Sequence, residues 1–241
     1  MDTDKGSSKP KVSVIVPIRR GETITGLAWQ LSASTYENIE LIVVDEGLER
    51  SVQRNMGIDS ANGEYLLILD SDQWVTIYLI EECVKLMEKY DALYIPEVLR
   101  TRSMFDVVRN WERQFYTGTP VDCVRFVRAD RCPKFDETMS GPEDSDWDRR
   151  VYGRRGITKN VVEHVERVSM LGYFKKKAYY AESMKRFEEK HPKDKVTNFW
   201  WRCFGVFFEK GKWKRVIRAP HMFLAVMIIL FVRGVIYMVN K

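Results

Sequence analysis

Apolar residues in this chain fall into short uninterrupted runs that are separated by stretches of helical length. The runs at residues 11–17, 39–44 and 64–69 are rich in β-branched and other apolar side chains and end at proline or acidic residues, which is typical of strands buried on both faces of a parallel sheet. A helical pattern over about residues 23–34 separates the first two runs. The order strand, helix, strand predicts a βαβ unit and therefore an α/β fold.

The middle of the chain continues with shorter elements. The pattern predicts an amphipathic helix over residues 77–90, a short strand over 91–96 and a second helix over 103–116 that carries an aromatic stripe. A strand over 121–127 and a helix that opens near residue 143 follow. We interpret most of these elements as scaffold, because apolar stripes at helical spacing usually pack in a core.

The last part of the chain has a different pattern. Residues 198–208 are strongly aromatic, residues 210–218 carry five basic side chains, and residues 222–239 are apolar apart from Arg233 and Gly234. As a helix this run is about 27 Å long, close to the roughly 30 Å of a bilayer core. Because the apolar residues surround the helix, the pattern favours a membrane-spanning helix over one that lies in the interface, and the basic flank favours a cytoplasmic position for the preceding domain.

Composition adds limits to this picture. The chain has 241 residues, of which 45% are hydrophobic and 30% charged, as in globular proteins. The net charge of +5 is too small to indicate nucleic acid binding, and the basic residues concentrate where a membrane explains them. We therefore expect a disordered tail at 1–10, a catalytic-type domain at 11–197, a basic and aromatic interfacial segment at 198–218, and a transmembrane helix at 219–241.

Candidate chemistry begins where the third strand ends, in Asp70-Ser71-Asp72. Ligand sites of open α/β sheets lie at the carboxyl ends of strands, and two carboxylates one residue apart can approach one divalent cation that also binds a diphosphate. This pattern predicts a metal-diphosphate site, with a solvated turn as the alternative. A second acidic group, Glu143-Asp144-Ser145-Asp146, opens a predicted helix, where the helix dipole alone would favour carboxylates.

Four patches of this sequence together resemble family 2 glycosyltransferases, which have the GT-A fold, a Rossmann-like mixed sheet flanked by helices. They are residues 12–17, residues 36–45, residues 54–72 and the segment from Phe135-Asp136-Glu137 to the second acidic group. The resemblance implies that Asp144 is the catalytic base and that Asp45 contacts the donor nucleotide. It further implies donor contacts for Pro17, Arg54, Asn55, Asp70, Ser71 and Asp72, acceptor-side contacts for Glu143, Asp146 and Arg149, and metal ligands in Asp72 and Asp70. Residues 157–167 resemble the family's short strand with a histidine, which makes His164 a further candidate metal ligand. Arg19 is a candidate donor contact from its own chemistry, because a guanidinium can hydrogen-bond a diphosphate.

The chain departs from the family pattern at two places in its first half. Only nine residues separate Asp45 from Asn55, where the family usually has a further strand, and Ile18-Arg19-Arg20 replaces the usual ending of the first strand. An arginine there could hydrogen-bond a diphosphate. The basic-aromatic segment 173–183 could close over phosphate, of the donor or of a lipid acceptor, or lie on an anionic bilayer.

From these features we expect an inverting, Mn²⁺- or Mg²⁺-dependent glycosyltransferase that moves a hexose from a UDP- or GDP-sugar to a lipid-linked acceptor of the polyprenyl or dolichyl phosphate type. It would sit at the membrane with its catalytic domain on the cytoplasmic face, and homo-oligomerisation is left open. Two alternatives remain: a sugar nucleotidyltransferase, and a non-catalytic membrane subunit that binds a nucleotide sugar or a partner.

Overall fold

The computed structural model describes residues 9–165 and 169–240, and the side chain of Glu182 is not described. Three predictions fall partly outside this range. Residues 1–8 of the expected tail, residues 166–168 of the expected strand 157–167, and residue 241 of the expected membrane helix lie outside the described residues.

The strands alternate with helices in the first half of the chain, and helices dominate its end. The strands are β1 Val12–Pro17, β2 Ile39–Val44, β3 Tyr65–Ile68, β4 Gln73–Val75, β5 Ala92–Tyr94, β6 Glu97–Leu99, β7 Phe126–Arg128, β8 Arg155–Ile157 and β9 Val162–His164. The helices are α1 Thr25–Ser32, α2 Arg50–Ser60, α3 Leu79–Leu86, α4 Met104–Arg113, α5 Glu143–Arg150, α6 Met170–Lys190, α7 Val206–Phe208, α8 Trp213–Arg218 and α9 Pro220–Asn240.

A mixed sheet with the strand order β2-β1-β3-β7-β5-β8 forms the centre of the molecule. The strands β1, β2 and β3 run parallel, with Val12 opposite both Ile39 and Tyr65, and β7 runs antiparallel to its two neighbours. The unit β1-α1-β2 is the predicted βαβ unit. A small second sheet, β4-β9-β6, lies beside the ends of the central strands.

Helices cover both faces of the central sheet, which explains why its strands are continuous apolar runs. One core holds Val14 and Leu67 with Leu27 and Leu79 of α1 and α3. The opposite core holds Ile15 and Leu66 with Trp147 of α5. A third core joins α4 and α6 to α7, α8 and α9, so the C-terminal helices pack directly on the domain.

Two predicted strands differ from the structure for a local reason. The strand expected over 121–127 begins only at Phe126, because the carboxylates of Asp122 and Asp148 accept the backbone N–H groups of Cys123 and Val124. The strand expected over 157–167 divides into β8 and β9, because the Glu82 carboxylate accepts the backbone N–H groups of the turn at residues 159 and 160.

Candidate active site

The carboxyl ends of β1 and β3 form the floor of the candidate site. After β3 the chain turns sharply, and the backbone N–H of Asp70 donates to the side-chain oxygen of Gln73 at 2.9 Å. Gln73 lies opposite His164 in the antiparallel pair of β4 and β9. This register brings the side chains of Asp72 and His164, which are distant in sequence, next to each other.

Arg54 connects the two acidic groups of the sequence. Its side chain, only 2% exposed, donates to Asp144 at 2.5 Å, to Asp70 at 3.0 Å and to Glu143 at 3.5 Å. Burial raises the pKa of Asp70, but the positive charges of Arg54 and Arg50 outweigh it and hold that pKa well below its usual range. The strand-end acids and the helix-start acids therefore belong to one site.

Glu143 and Asp144 occupy the first turn of α5 but face different surroundings. The Glu143 side chain is 8% exposed, whereas that of Asp144 is 42% exposed. Burial and the neighbouring Asp144 raise the pKa of Glu143 to about 7. The turn before α5 requires Gly141, which has a φ of 116° and where a Cβ would lie 2.9 Å from the Tyr180 ring. Because its side chain is the more exposed of the two, Asp144 is the accessible carboxylate of the Glu143–Asp144 pair.

His164 lies between two carboxylates. Its Nδ1 is 2.6 Å from Glu97 and its Nε2 is 2.8 Å from Asp72. Burial lowers the pKa of His164, but the hydrogen bonds to Asp72 and Glu97 raise it to about 9, so the imidazole is protonated in this arrangement. A carboxylate on one ring nitrogen is the usual orienting partner of a histidine that ligates a metal through the other.

The side chains of Asp72 and His164 suit a divalent cation, but they supply only part of its coordination. Among residues 9–165 and 169–240, no group of three or more His, Cys, Asp or Glu side chains forms a metal site by itself. The convergence of Asp72 and His164 supplies two ligands, and a cation there would displace the imidazole proton. A diphosphate could complete the coordination. Asp70 is engaged by Arg54 instead.

Two cavities lie beside the acidic groups: Asp70 and Asp72 line one of them, and Asp144 lines the other. The first, the strand-end cavity, has a volume of about 590 Å³ and is lined by residues that include Pro17, Arg19, Arg50, Asp70, Ser71, Asp72, Glu143 and Lys176. The second, the helical cavity, has a volume of about 430 Å³ and is lined by residues that include Asp144, Arg109, Arg125, Lys177, Arg202 and Arg233. Gly141 and Tyr180 line both, so the cavities adjoin at the start of α5.

The structure places other predicted site residues away from the cavities. Asp146 is fully buried and binds Arg150, Lys190 and His191, and the Arg149 guanidinium pairs with Asp194. Four more line neither cavity: Arg54 and His164, whose contacts are described above, and Asn55 and Asp45. Asn55 bonds the backbone of Phe135, and Asp45 is exposed at the end of β2.

Sequence reasoning missed four residues that the structure places in or beside the site. Arg50 lines the strand-end cavity one helical turn before Arg54, a spacing that is visible in the sequence. Glu22 ties Ser71 to the backbone of Arg19. Glu97 and Arg125 form an ion pair of 3.1 Å beside His164, and no local motif marks either of them.

The fold and these acidic groups together define an α/β domain with a charged site at the carboxyl ends of its strands, and comparisons with known proteins show what this domain resembles. Residues 46–138 match the family model described as Glycosyl transferase family 2. "Glycosyltransferase GlyG" from Streptococcus pneumoniae serotype 4 is 29% identical over 109 residues, which are 34% of this chain and 36% of that protein. The chain therefore matches about a third of the length of that relative.

Solved structures share the fold at low sequence identity. The mannosyltransferase PcManGT from Pyrobaculum calidifontis, solved in complex with GDP-Man and Mn²⁺, has a TM-score of 0.63 at 18% identity and covers 97% of this chain and 88% of that one. S. aureus TarS 1-349 in complex with UDP-GlcNAc has a TM-score of 0.52 at 18% identity, covering 87% of this chain and 79% of that one. The predicted GT-A fold is confirmed.

Residues 46–138 are thus similar to family 2 glycosyltransferases, the family that the motifs of the sequence resemble. The matched residues include Asp70 and Asp72 and end just before the second acidic group. These matches also support the predicted enzyme class.

Proposed function

We propose that this protein is an inverting, metal-dependent glycosyltransferase that transfers a hexose from a UDP- or GDP-sugar to a lipid-linked acceptor at a membrane. The observation that carries the proposal is the position of Asp144. It is an accessible carboxylate where the two cavities meet, and Arg54 ties it to Asp70 at the strand end.

The strand-end cavity suits the nucleoside diphosphate part of the donor. Its volume of about 590 Å³ is in the usual range of small-molecule sites. Arg19, Arg50 and Lys176 line it together with the strand-end acids. Guanidinium groups make charge-assisted hydrogen bonds to phosphate oxygens, so this wall can hold a diphosphate.

The chemistry follows from the order of the groups across the site. An acceptor oxygen in the helical cavity attacks the anomeric carbon, and the bond from that carbon to the diphosphate oxygen breaks. Where the acceptor is a hydroxyl, Asp144 takes its proton as the general base. Arg54 holds the Asp144 carboxylate in place. Because attack and departure occur on opposite sides of the carbon, one displacement inverts the anomeric configuration.

Mn²⁺ or Mg²⁺ would be held by Asp72 and His164, with Glu97 orienting the imidazole. When bound, such a cation would stabilise the negative charge that develops on the departing diphosphate. Asp70 stays in its ion pair with Arg54. The Mn²⁺ in the complex of the related mannosyltransferase supports this part of the proposal.

The membrane attachment rests on α9. Pro220–Asn240 is long and apolar enough to cross a bilayer, with a mean hydropathy of 2.5 over its best window. Its exposed side chains include Leu224, Ile228 and Phe231, while its opposite side packs on α4 and α6. The predicted span stays a prediction, and this packing supports the alternative in which α9 lies along the membrane surface. We place the catalytic domain on the cytoplasmic side, where nucleotide sugars are available.

The proposal is tested with the full chain, purified in detergent and supplied with Mn²⁺, a polyprenyl phosphate lipid and a panel of UDP- and GDP-sugars. We expect transfer from one donor, with the product in the inverted configuration and activity lost on chelation of the metal. With a sugar linked to that lipid as a second acceptor, Asp144→Asn should reduce transfer to the sugar hydroxyl by about 10²- to 10⁴-fold, because it removes the base, while nucleotide binding is kept. The phosphate of the first acceptor is already ionised at neutral pH and does not need this base.

Asp130→Asn is the matched control, because this carboxylate is 75% exposed and lines neither cavity. It should transfer at the wild-type rate. Metal-dependent nucleotide binding without turnover of any donor, equal in wild type and Asp144→Asn, would contradict the proposal and favour a binding subunit.

A further inference from the structure

The helical cavity carries an excess of positive charge. Of the described residues that line it, six are basic and four are acidic. Three of the acids already have cationic partners: Glu112 pairs with Arg233 at 2.6 Å and with Arg109 at 3.9 Å, Glu97 pairs with Arg113 and Arg125, and Asp144 pairs with Arg54. The remaining acid is the Asp122 carboxyl, whose pKa burial raises to about 7. An anion from outside the chain would balance the positive charge that these four acids leave uncompensated.

Lys177 is the clearest sign of such a ligand. Its ammonium makes no hydrogen bond or ion pair with any described residue and faces only the rings of Tyr173, 5.5 Å away, and Tyr180, 5.9 Å away. Burial lowers the pKa of Lys177 to about 7, and the charges of Arg233 and Arg109 add to that effect. An ammonium group held among arginines without a carboxylate is unfavourable unless an anion joins them.

Consecutive lysines of α6 point to different places. Each residue of an α-helix is rotated by about 100° from the one before it. Lys175 is exposed and lines neither cavity, Lys176 lines the strand-end cavity, and Lys177 lines the helical cavity. The strand-end cavity and the helical cavity thus each receive one lysine from α6.

We propose that the helical cavity binds the phosphate group of the acceptor, with Lys177 and Arg202 as its cationic contacts. This assignment rests on the proposed function, because it takes the helical cavity as the acceptor side of Asp144. Lysine and arginine are the side chains that bind phosphate groups most strongly, and Arg202, stacked on the Tyr116 ring at 5.4 Å, is held in position for such a contact.

The position of the cavity favours a phosphate that is attached to hydrocarbon. Arg233 and Tyr237 line the cavity and belong to α9, the apolar helix that the proposed function places at the membrane. A phosphate carried by a membrane lipid would therefore be close to the cavity.

The test measures binding to the full chain in detergent, without donor, using farnesyl phosphate, farnesol and inorganic phosphate as probes. We expect farnesyl phosphate to bind at least about tenfold more tightly than farnesol, and Lys177→Met to remove about tenfold or more of that preference. Lys175→Met, the same change two residues away, should bind like wild type. Equal binding of farnesyl phosphate and farnesol, or equal behaviour of the two variants, would overturn the inference.

Two further measurements identify the source of the phosphate and test whether Lys177→Met remains folded. Inorganic phosphate that competes as well as farnesyl phosphate would support the anion site with a soluble acceptor, and weaker competition would support a lipid-borne one. Lys177→Met should melt at or above the wild-type temperature, because it removes repulsion between cations. Donor turnover by the same preparations reports on the proposed function separately: turnover without anion preference overturns only this inference, and anion binding without any turnover overturns the acceptor role.

Discussion

The guanidinium of Arg54 lies 2.5 Å from the carboxylate of Asp144, in a chain where five strands and two α-helices separate these residues. The same guanidinium also reaches Asp70 at 3.0 Å. One buried cation thus fixes the distance between the strand-end acids and the candidate base. A single side chain supports both the stability of the site and its geometry.

Arg54→Met should therefore damage both properties. Breaking a buried ion pair by removing one partner typically costs about 3–5 kcal/mol, because the remaining charges lose their counter-charge. We expect a loss of about 3 kcal/mol in the free energy of unfolding, together with loss of transfer activity. Denaturant unfolding of the full chain in detergent measures the first effect.

The control is Arg100→Met, which breaks an ion pair with Glu163 whose two side chains are 39% and 34% exposed. This change should cost less than about 1 kcal/mol. Equal losses in the free energy of unfolding for Arg54→Met and Arg100→Met would show that the buried ion pairs of Arg54 stabilise the protein no more than an exposed ion pair does.

Glu97→Gln should weaken the binding of Mn²⁺ in the presence of the nucleoside diphosphate. Its carboxylate accepts from Nδ1 of His164 at 2.6 Å and so orients the ring toward Asp72. Loss of such an orienting group typically costs about 10- to 100-fold in metal affinity. Mn²⁺ titration followed by electron paramagnetic resonance measures the affinity directly, without depending on turnover.

The matched variant for this experiment is Glu163→Gln, because Glu163 precedes His164 and pairs with Arg100. It should bind Mn²⁺ as wild type does. If Glu97→Gln also binds Mn²⁺ normally, the role of Glu97 in orienting His164 toward a metal is refuted.

Charged substitutions on the exposed side of α9 should reduce membrane binding. Ile228 and Phe231 are 60% and 71% exposed, and burial of each large apolar side chain in a bilayer is worth about 1.5–3 kcal/mol. The double variant Ile228→Glu with Phe231→Glu should shift most of the protein from the vesicle pellet to the supernatant in co-sedimentation with anionic vesicles.

Trp29→Glu serves as the comparison, since Trp29 is a similarly exposed residue of α1, at 68%. It should leave vesicle binding unchanged. Undiminished binding of the α9 double variant would rule out the exposed side of α9 as the membrane contact. Alkaline carbonate should extract the wild-type protein if α9 lies along the surface, and resistance to extraction would instead support a spanning helix.

The stability of the protein should depend on pH through Asp122. Burial raises the pKa of Asp122 from 3.8 to about 7, although Arg125 lowers it. Between these values the folded state keeps a proton that the unfolded state has released, so the free energy of unfolding falls as the pH rises through about 7. The maximum effect is about 4 kcal/mol, reduced by the contact of this side chain with the solvent-filled cavity.

Asp122→Asn removes this titration and keeps one oxygen, which can accept the backbone N–H of Cys123 or of Gly118; in the wild type these two groups donate to different oxygens of the carboxylate. Urea unfolding at about pH 5 and about pH 8 should show a smaller decrease for the variant than for wild type. Parallel pH profiles would mean that Asp122 is ionised in the folded protein at neutral pH.

The sequence by itself determined the βαβ start, the strand-end position of Asp70 and Asp72, the helix that begins with Glu143 and Asp144, and the apolar C-terminal helix. These features follow from local patterns, because buried parallel strands are uninterrupted apolar runs and helix starts favour carboxylates. Of these features, the family model covers Asp70 and Asp72, within residues 46–138.

Only the tertiary structure decided which charged residues share a site. Arg54 reaches two acidic groups, Glu97 reaches His164, and Lys177 but not Lys175 enters the helical cavity. The tertiary structure also buries Asp146 in a network of ion pairs, while the nearby Asp144 is accessible. Local patterns fix the direction of a side chain within its own element, but the partner that it meets depends on how distant elements pack.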